Sequence, residues 1–401
     1  HTMGTDLTDF DNDGLVDLYA VDMLPINNYR LKTTKVTMSQ SVYTSTLLNG
    51  YYEAVVRNVL QRNNGNGTFS DIGCLSGVYK TEWSWSGLLF DIDNDGWRDM
   101  HVTNGYRRNI NDNDFFEYKF EELLKVSKND LKNYFKDIDK FLRLIPTYKS
   151  RNCCFQNRGD WTFADKGGDW LTLPASWSNG SAWADLDNDG DLDLVTNNLE
   201  DQPFVYQNLS SDQRKNNYLQ LRLHGSDKNR MAIGASALIY YGGQKQYLEL
   251  NPVRGIFSSV EYLLHYGLGQ AAQVDKLIVR WPDGKTQTLT NIPANQRLDL
   301  HYKDASGYVK HLVPLAPQTL YFEEKTAAAG LNWRQEENAF NDFETWPLNL
   351  FRQSDHGPLL AAGDVNGDGL DDFFVGNAFD KPAALFVQNP GGRFQATNAT
   401  L

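Results

Sequence analysis

The chain has 401 residues, enough for one large domain or two to three ordinary ones with ample core. Its formal charge of −13 argues against a nucleic-acid partner, and no run approaches the roughly 18 apolar residues of a membrane span. Ten Trp, 20 Tyr and 21 Phe beside few helix-period apolar stretches suit a mainly β architecture.

The opening HTMGTDLTDF has no signal-peptide apolar region, and the first motif starts at residue 9, so both ends read as cuts through a repeating structure. That motif is DFDNDGLVD. Calcium, a hard cation, takes roughly 6 to 8 oxygen ligands, and acidic residues at alternate positions of a tight loop can converge on it. Asp9, Asp11 and Asp13 fill the first, third and fifth positions, Gly14 permits the turn, Leu15 offers its carbonyl, and Asp17 closes the shell at the ninth. An insertion from Asp22 to about Val56 follows, then a Gly-rich hairpin, NNGNGTFSD, at Asn63 to Asp71.

The second loop, DIDNDGWRD, supplies Asp91, Asp93, Asp95, Trp97 and Asp99. After it, residues 111–150 hold the one convincing helical pattern, FFEYKFEELLKVS and NDLKNYFKDIDKFLRLIP, with Asn129 as N-cap and Pro146 as stop. The hairpin NRGDWTFAD at Asn157 to Asp165 repeats the earlier one. From each hairpin Phe to the next loop Asp is 22 residues, Phe69 to Asp91 and Phe163 to Asp185. The third loop, DLDNDGDLD, supplies Asp185, Asp187, Asp189, Asp191 and Asp193. Only the carbonyl is needed at the seventh position, so the Asp191 side chain is expected to point to solvent.

Residues 216–302 change character to alternating strands, YLQLRLHG, ASALIYYGG, QKQYLELN, VDKLIVRWPDGKTQTL and RLDLHY, which read as a small antiparallel β-sandwich or barrel inserted between repeats. The fourth loop, DVNGDGLDD, gives Asp364, Asn366, Asp368, Leu370 and Asp372. With one carboxylate replaced by an amide it should bind more weakly. A truncated hairpin, QNPGGRF, ends the pattern at Phe394.

An EF-hand would need a Glu at the twelfth position and a following helix. The twelfth residues are Ala20, Val102, Thr196 and Val375, and the downstream segments have an apolar period near two. Loops feeding strands, with repeated hairpins, point to a β-propeller carrying insertions, because the loop spacings of 82, 94 and 179 residues exceed a blade of about 40 to 50. Four bound Ca2+ would bring the formal −13 to −5 and relieve carboxylate repulsion, coupling metal to folding.

The loops and GTF-type hairpins resemble VCBS/FG-GAP repeats of integrin-α-like propellers. NNYLQLRLHG, NRMAIGA, HYGLG and VDKLIVRWPDGKTQTL resemble the ASPIC/UnbV domain found also in cartilage acidic protein, and the whole order is similar to a window from large Bacteroidetes proteins of this type. The resemblance covers nearly all the chain and implies a partial propeller at 1–215, an ASPIC/UnbV-like β domain at 216–302 and further blade sequence at 303–401. It further implies an extracytoplasmic protein, at the cell surface, associated with the outer membrane or secreted, with calcium-stiffened blades and an extracellular glycan or protein ligand of unknown identity. Cys153 and Cys154 depart from the residues usual there and read as small apolar fillers of a strand.

The expected role is thus a calcium-binding adhesion, binding or scaffold module with about four Ca2+ sites, the calcium being structural. The alternative is a propeller-based polysaccharide lyase or hydrolase. The seven histidines fall in no catalytic spacing, and no GxSxG, P-loop or dinucleotide fingerprint appears, so no catalytic constellation is recognisable. His101 and His265 read as structural polar residues. Trp83, Trp85, Trp177 and Trp183 precede loops and read as inter-blade core rather than as ligand platforms.

Overall fold

The computed structural model describes residues 2–34, 40–51, 55–115, 117–118, 142–143, 145–172, 174–312, 322–338, 340, 342–346, 354 and 357–397. The chain forms two units, His1–Ala316 and Pro317–Leu401. Its architecture is mainly β, a partial propeller with an inserted β domain, as expected.

Three blades lie in the first unit. The first is an antiparallel meander of Thr5–Thr8, Asp17–Ala20, Val59–Asn63 and Phe69–Asp71. The second runs Glu82–Phe90, Asp99–Asn104, Cys153–Asn157 and Phe163–Asp165, with Met23–Leu24 added beside Glu82–Phe90. The third has Ser178–Ala184, Asp193–Asn198 and Phe204–Tyr206. Neighbouring blades cover both faces of the second, so Asp99–Asn104 is buried at every position and shows no clean alternation. Leu89, Met100, Val102 and Cys153 pack towards Phe10, Tyr19 and Leu60 of the first blade. Leu88 and Phe90 pack on Trp183, Leu192 and Leu194 of the third.

The inserted domain has two sheets, one ordered Leu264–Gly269, Asn217–His224, Gln296–His301, the other Gln244–Glu249, Ser236–Tyr241, Gln273–Arg280, Lys285–Pro293, Gly307–Tyr308. Leu219, Leu221, Ile239, Tyr266, Val279 and Trp281 fill the core between them. The expectation of a purely antiparallel domain is corrected: Asn217–His224 pairs in parallel with Gln296–His301, Leu219 opposite Gln296. The chain returns to the first sheet twice, Leu264–Gly269 pairing antiparallel on one side of Asn217–His224 and Gln296–His301 pairing parallel on the other after Gln273–Arg280 and Lys285–Pro293 of the second sheet.

A short hairpin, Val253–Arg254 with Ser258–Ser259, leaves this domain and lies along the inner strand of the first blade. Thr5 bridges to Gly255, and Arg254 Nη1 meets the buried Asp6 Oδ1 at 2.6 Å. The insertion thus pairs with the open edge of this strand at Thr5.

The second unit contains one blade, Leu360–Gly363, Asp372–Val375, Ala384–Gln388 and Phe394–Thr397, on a small core of Val375, Phe386 and Trp333. The expected helical hairpin of 111–150 lies largely outside the described residues, Asn129 included. Among the described residues no helix is long and apolar enough to cross a membrane.

Candidate metal centres

Each nine-residue motif is a hairpin closed by one antiparallel pair: Thr8 with Asp17, Phe90 with Asp99, Ala184 with Asp193, Gly363 with Asp372. Left-handed residues curl it at the fourth position (Asn12 φ 57°, Asn94 57°, Asn188 63°, Gly367 79°) and at the sixth (Gly14 93°, Gly96 97°, Gly190 94°, Gly369 85°). The curl turns alternate side chains inward. The fifth side chain accepts the amide of the seventh residue in all four loops: Asp13 from Leu15 (2.8 Å), Asp95 from Trp97 (2.9 Å), Asp189 from Asp191 (3.0 Å) and Asp368 from Leu370 (2.9 Å).

The ninth Asp is a latch. Its Oδ2 accepts the second residue's amide, from Phe10, Ile92, Leu186 and Val365 at 3.1, 3.0, 2.9 and 3.0 Å. Its Oδ1 accepts an amide at or just beyond the end of the blade's third strand, from Asn63, Asn157, Asn208 and Gln388 at 2.8, 2.9, 2.7 and 2.8 Å.

Three loops bring carboxylates together. Oxygens of Asp9, Asp11 and Asp13, of Asp91, Asp93 and Asp99, and of Asp185, Asp187 and Asp189 lie within 4.8 Å of one another in each group. Among the described residues the fourth loop forms no such group: Asn366 Nδ2 donates to Asp368 Oδ2 (3.0 Å), and the loop is exposed.

Burial and mutual repulsion make these clusters costly as bare anions. Burial, with Asp13 beside it, pushes the Asp9 carboxyl up to about 8, and burial pushes Asp17 to about 7. Asp91 and Asp99 are raised well above the ordinary range by burial and by neighbouring loop carboxylates. Asp364 is the opposite case, held below that range by the amides of Gly369, Gly367 and Asp368. Arg62 partly compensates the first loop, with Nε 2.6 Å from Asp11 Oδ2 and Nη2 3.0 Å from Asp13 Oδ2.

Two oxygens test the fit to a cation. Asp185 Oδ1 and Asp191 Oδ1 are buried without a hydrogen-bond donor, a state that costs free energy unless a cation pairs with it. The donors are all oxygen, which suits calcium rather than a thiolate- or imidazole-seeking metal. Asp191 corrects an expectation: its side chain is fully buried rather than directed to solvent. The short helix Ser210–Arg214 starts beside it, and Asp191 Oδ2 accepts Ser211 N (2.9 Å) and Ser210 Oγ (3.2 Å), satisfying a free helix-end amide. Burial pushes this carboxyl up to about 6.

The inserted domain touches all three loops. Lys245 Nζ reaches the Asp13 carbonyl (2.6 Å), His265 Nε2 pairs with Asn94 Oδ1 (2.6 Å), Arg98 Nη2 donates to Gln246 Oε1 (2.9 Å), and Gln220 Nε2 donates to Asp185 Oδ2 (2.7 Å). A Cβ on Gly267 would stand 2.1 Å from Asp91 Oδ2, so only glycine lets the inserted domain come this close.

Sequence reasoning missed two sets of stitching residues. Asn12 Nδ2 donates to the Gly96 carbonyl (3.0 Å) and Asn94 Nδ2 to that of Gly190 (3.1 Å), joining each loop to the next. In the reverse direction Asn157 Nδ2 reaches the Phe10 carbonyl (3.0 Å) and Asn208 Nδ2 that of Ile92 (2.7 Å). Beside them Arg62, Gln156 and Gln207 hold the Asp at the third position of their loops, Asp11, Asp93 and Asp187. The signal was present as Asn in each DND triplet and as RN, QN and QN before the turns. In the fourth blade Gly367 and Gln388 replace both asparagines.

Of the tryptophans, Trp183 is buried against Phe90. Trp83 and Trp85 are half-buried and stack on Tyr106 at 4.5 and 6.2 Å, at the strand ends far from the loops. Trp177, also half-buried, donates to the Tyr148 carbonyl (2.9 Å). His101 and His265 are buried, and burial lowers them to about 4 and about 3. Cys153 and Cys154 sit buried and unbridged in a strand.

Comparison with known families places three segments. Residues 225–307 match ASPIC and UnbV, residues 137–196 match the FG-GAP-like repeat, and residues 356–393 match the FG-GAP repeat. No curated protein matches the chain. The chain therefore carries FG-GAP repeats and an ASPIC/UnbV domain, and is a propeller-type module.

Proposed function

We propose that this chain is a calcium-binding, extracytoplasmic binding or scaffold module, in which Ca2+ at the blade loops rigidifies the propeller and fixes the inserted domain on it. The observation carrying this reading is the repeated convergence of three carboxylates at one register position of three blades, with Asp185 Oδ1 buried and unpaired. Asp9, Asp11, Asp13 and Asp17 would hold the first ion with the Leu15 carbonyl; Asp91, Asp93, Asp95 and Asp99 the second with that of Trp97; Asp185, Asp187, Asp189 and Asp193 the third with that of Asp191. Asp364, Asn366, Asp368, Asp372 and the Leu370 carbonyl would form a weaker fourth site.

Bound calcium would neutralise these carboxylates and supply a fixed positive centre. Because each loop is latched to its blade and contacted by the inserted domain, that centre is structural, and an outside glycan or protein would meet the blade insertions and other exposed surfaces instead. Glycan and extracellular-matrix arrays probed with the wild type, Asp91→Ala and Asp185→Ala test the reading. Binding that falls in EDTA and in both variants is expected. Turnover of a polysaccharide that survives both substitutions would favour an enzyme instead.

A further inference from the structure

The eighth position of each loop, one residue before the latch Asp, holds Val16, Arg98, Leu192 and Asp371, so only the second loop carries a cation within its own motif. Arg98 and the neighbouring Asp91 are both buried. Arg98 Nη2 donates to Gln246 Oε1 (2.9 Å), and Gln246 Nε2 in turn donates to the Gly267 carbonyl (2.6 Å) and to Tyr241 Oη (2.5 Å), all in the inserted domain. The guanidinium is thereby anchored on the domain side. Its other end, Nη1, is buried without a hydrogen-bond partner and lies 3.6 Å from Asp91 Oδ2.

That distance is too long for a hydrogen bond but close enough for a substantial Coulomb attraction in a water-poor site. Asp91 turns its oxygens into the loop instead, accepting Asp95 N at Oδ1 (3.1 Å) and Gly96 N at Oδ2 (2.8 Å). Arg98 thus offsets the loop's negative charge through its field and takes up none of the Asp91 lone pairs. The first loop is built differently. There Arg62, 24% exposed, hydrogen-bonds directly to Asp11 and Asp13. In the second loop the four carboxylates of Asp91, Asp93, Asp95 and Asp99 give a formal −4, which Arg98 brings to −3 and a bound calcium would bring to −1.

We propose that Arg98 is the resident counter-cation of the second loop, holding the empty loop to the inserted domain and weakening that site for calcium by repelling the ion. The inference rests on the calcium reading above and adds a consequence for one site: loop and domain stay joined whether or not the ion is present. A buried charge that faces a carboxylate without bonding to it is costly on its own, and the crowded loop anions make it favourable here.

The test is calcium titration of the full chain in competition with a chromophoric chelator, with melting midpoints in EDTA and in millimolar calcium, on the wild type, Arg98→Gln and Arg98→Lys. Arg98→Gln removes the charge and should tighten one site at least tenfold, while its melting midpoint falls in EDTA and recovers in calcium. Arg98→Lys keeps the charge without the planar fork and should keep the wild-type calcium affinity. A wild type that binds no calcium removes the calcium reading and this proposal with it. With calcium bound by the wild type, the proposal alone is overturned by unchanged or weaker binding in Arg98→Gln, or by equal affinities in the two variants. It is also overturned if Arg98→Gln fails to fold in calcium, since a charge that the ion can replace is not needed in its presence.

Discussion

The latch formed by the ninth Asp gives the sharpest mutational test. Asp99 is fully buried and accepts Ile92 N at 3.0 Å and Asn157 N at 2.9 Å, closing its loop and tying it to the blade's third strand. Asp99→Ala leaves two buried amides unpaired, and at about 1.5–3 kcal/mol for each charge-assisted bond the gross loss is about 3–6 kcal/mol. Relief acts against this loss when no metal is bound, because Asp91 and Asp93 are the charges beside the raised Asp99 carboxyl. Urea unfolding followed by tryptophan fluorescence should therefore show a loss of several kcal/mol in millimolar calcium and a smaller one in EDTA. Asp99→Asn should fall between, since its amide nitrogen meets one of the two donors. A loss under about 1 kcal/mol in calcium, or equal losses in both conditions, would refute the reasoning.

Three further outcomes follow from the same geometry. Gly190→Ala must place a Cβ 1.9 Å from the Tyr218 ring at φ 94°, whereas Gly369→Ala at φ 85° meets open space; calorimetric unfolding should show about 1 kcal/mol lost at Gly369 and clearly more at Gly190. In EDTA the raised carboxyls of Asp9 (about 8) and Asp17 (about 7) bind protons more tightly folded than unfolded, so the melting midpoint should fall between pH 6.5 and 8.5. His101 and His265, lowered to about 4 and 3, work the other way, but their contribution is already complete above an unfolded value near 6.5 and does not blur that window. In calcium the fall should disappear, and an EDTA midpoint that rises over this range would contradict the assignment. Native protein should label rapidly at one thiol, the exposed Cys74, and at all three once unfolded, because burial pushes the Cys153 thiol up to about 12.

Local patterns were legible in the sequence. The loop registers and the hairpins after Asn63 and Asn157 depend on nearest-neighbour backbone chemistry, which the residues write directly. What failed or was missed depends on long-range partners. Asp191 looked like a solvent residue because only the distant Ser210–Arg214 helix end draws it inward. The parallel return of Gln296–His301 is a topological fact that alternation cannot encode, since parallel and antiparallel strands share the same period. The contact of the inserted domain with the loops rests on single side chains such as Lys245, Gln220 and His265, each unremarkable in its own strand.

Isothermal titration of calcium into protein stripped with EDTA, repeated on Asp9→Ala, Asp91→Ala and Asp185→Ala, addresses the metal most directly. Three tighter sites and a weaker fourth are predicted, one tight site vanishing with each substitution, while millimolar calcium raises the melting midpoint of the wild type by mass action. No binding heat together with a midpoint indifferent to millimolar calcium would contradict it.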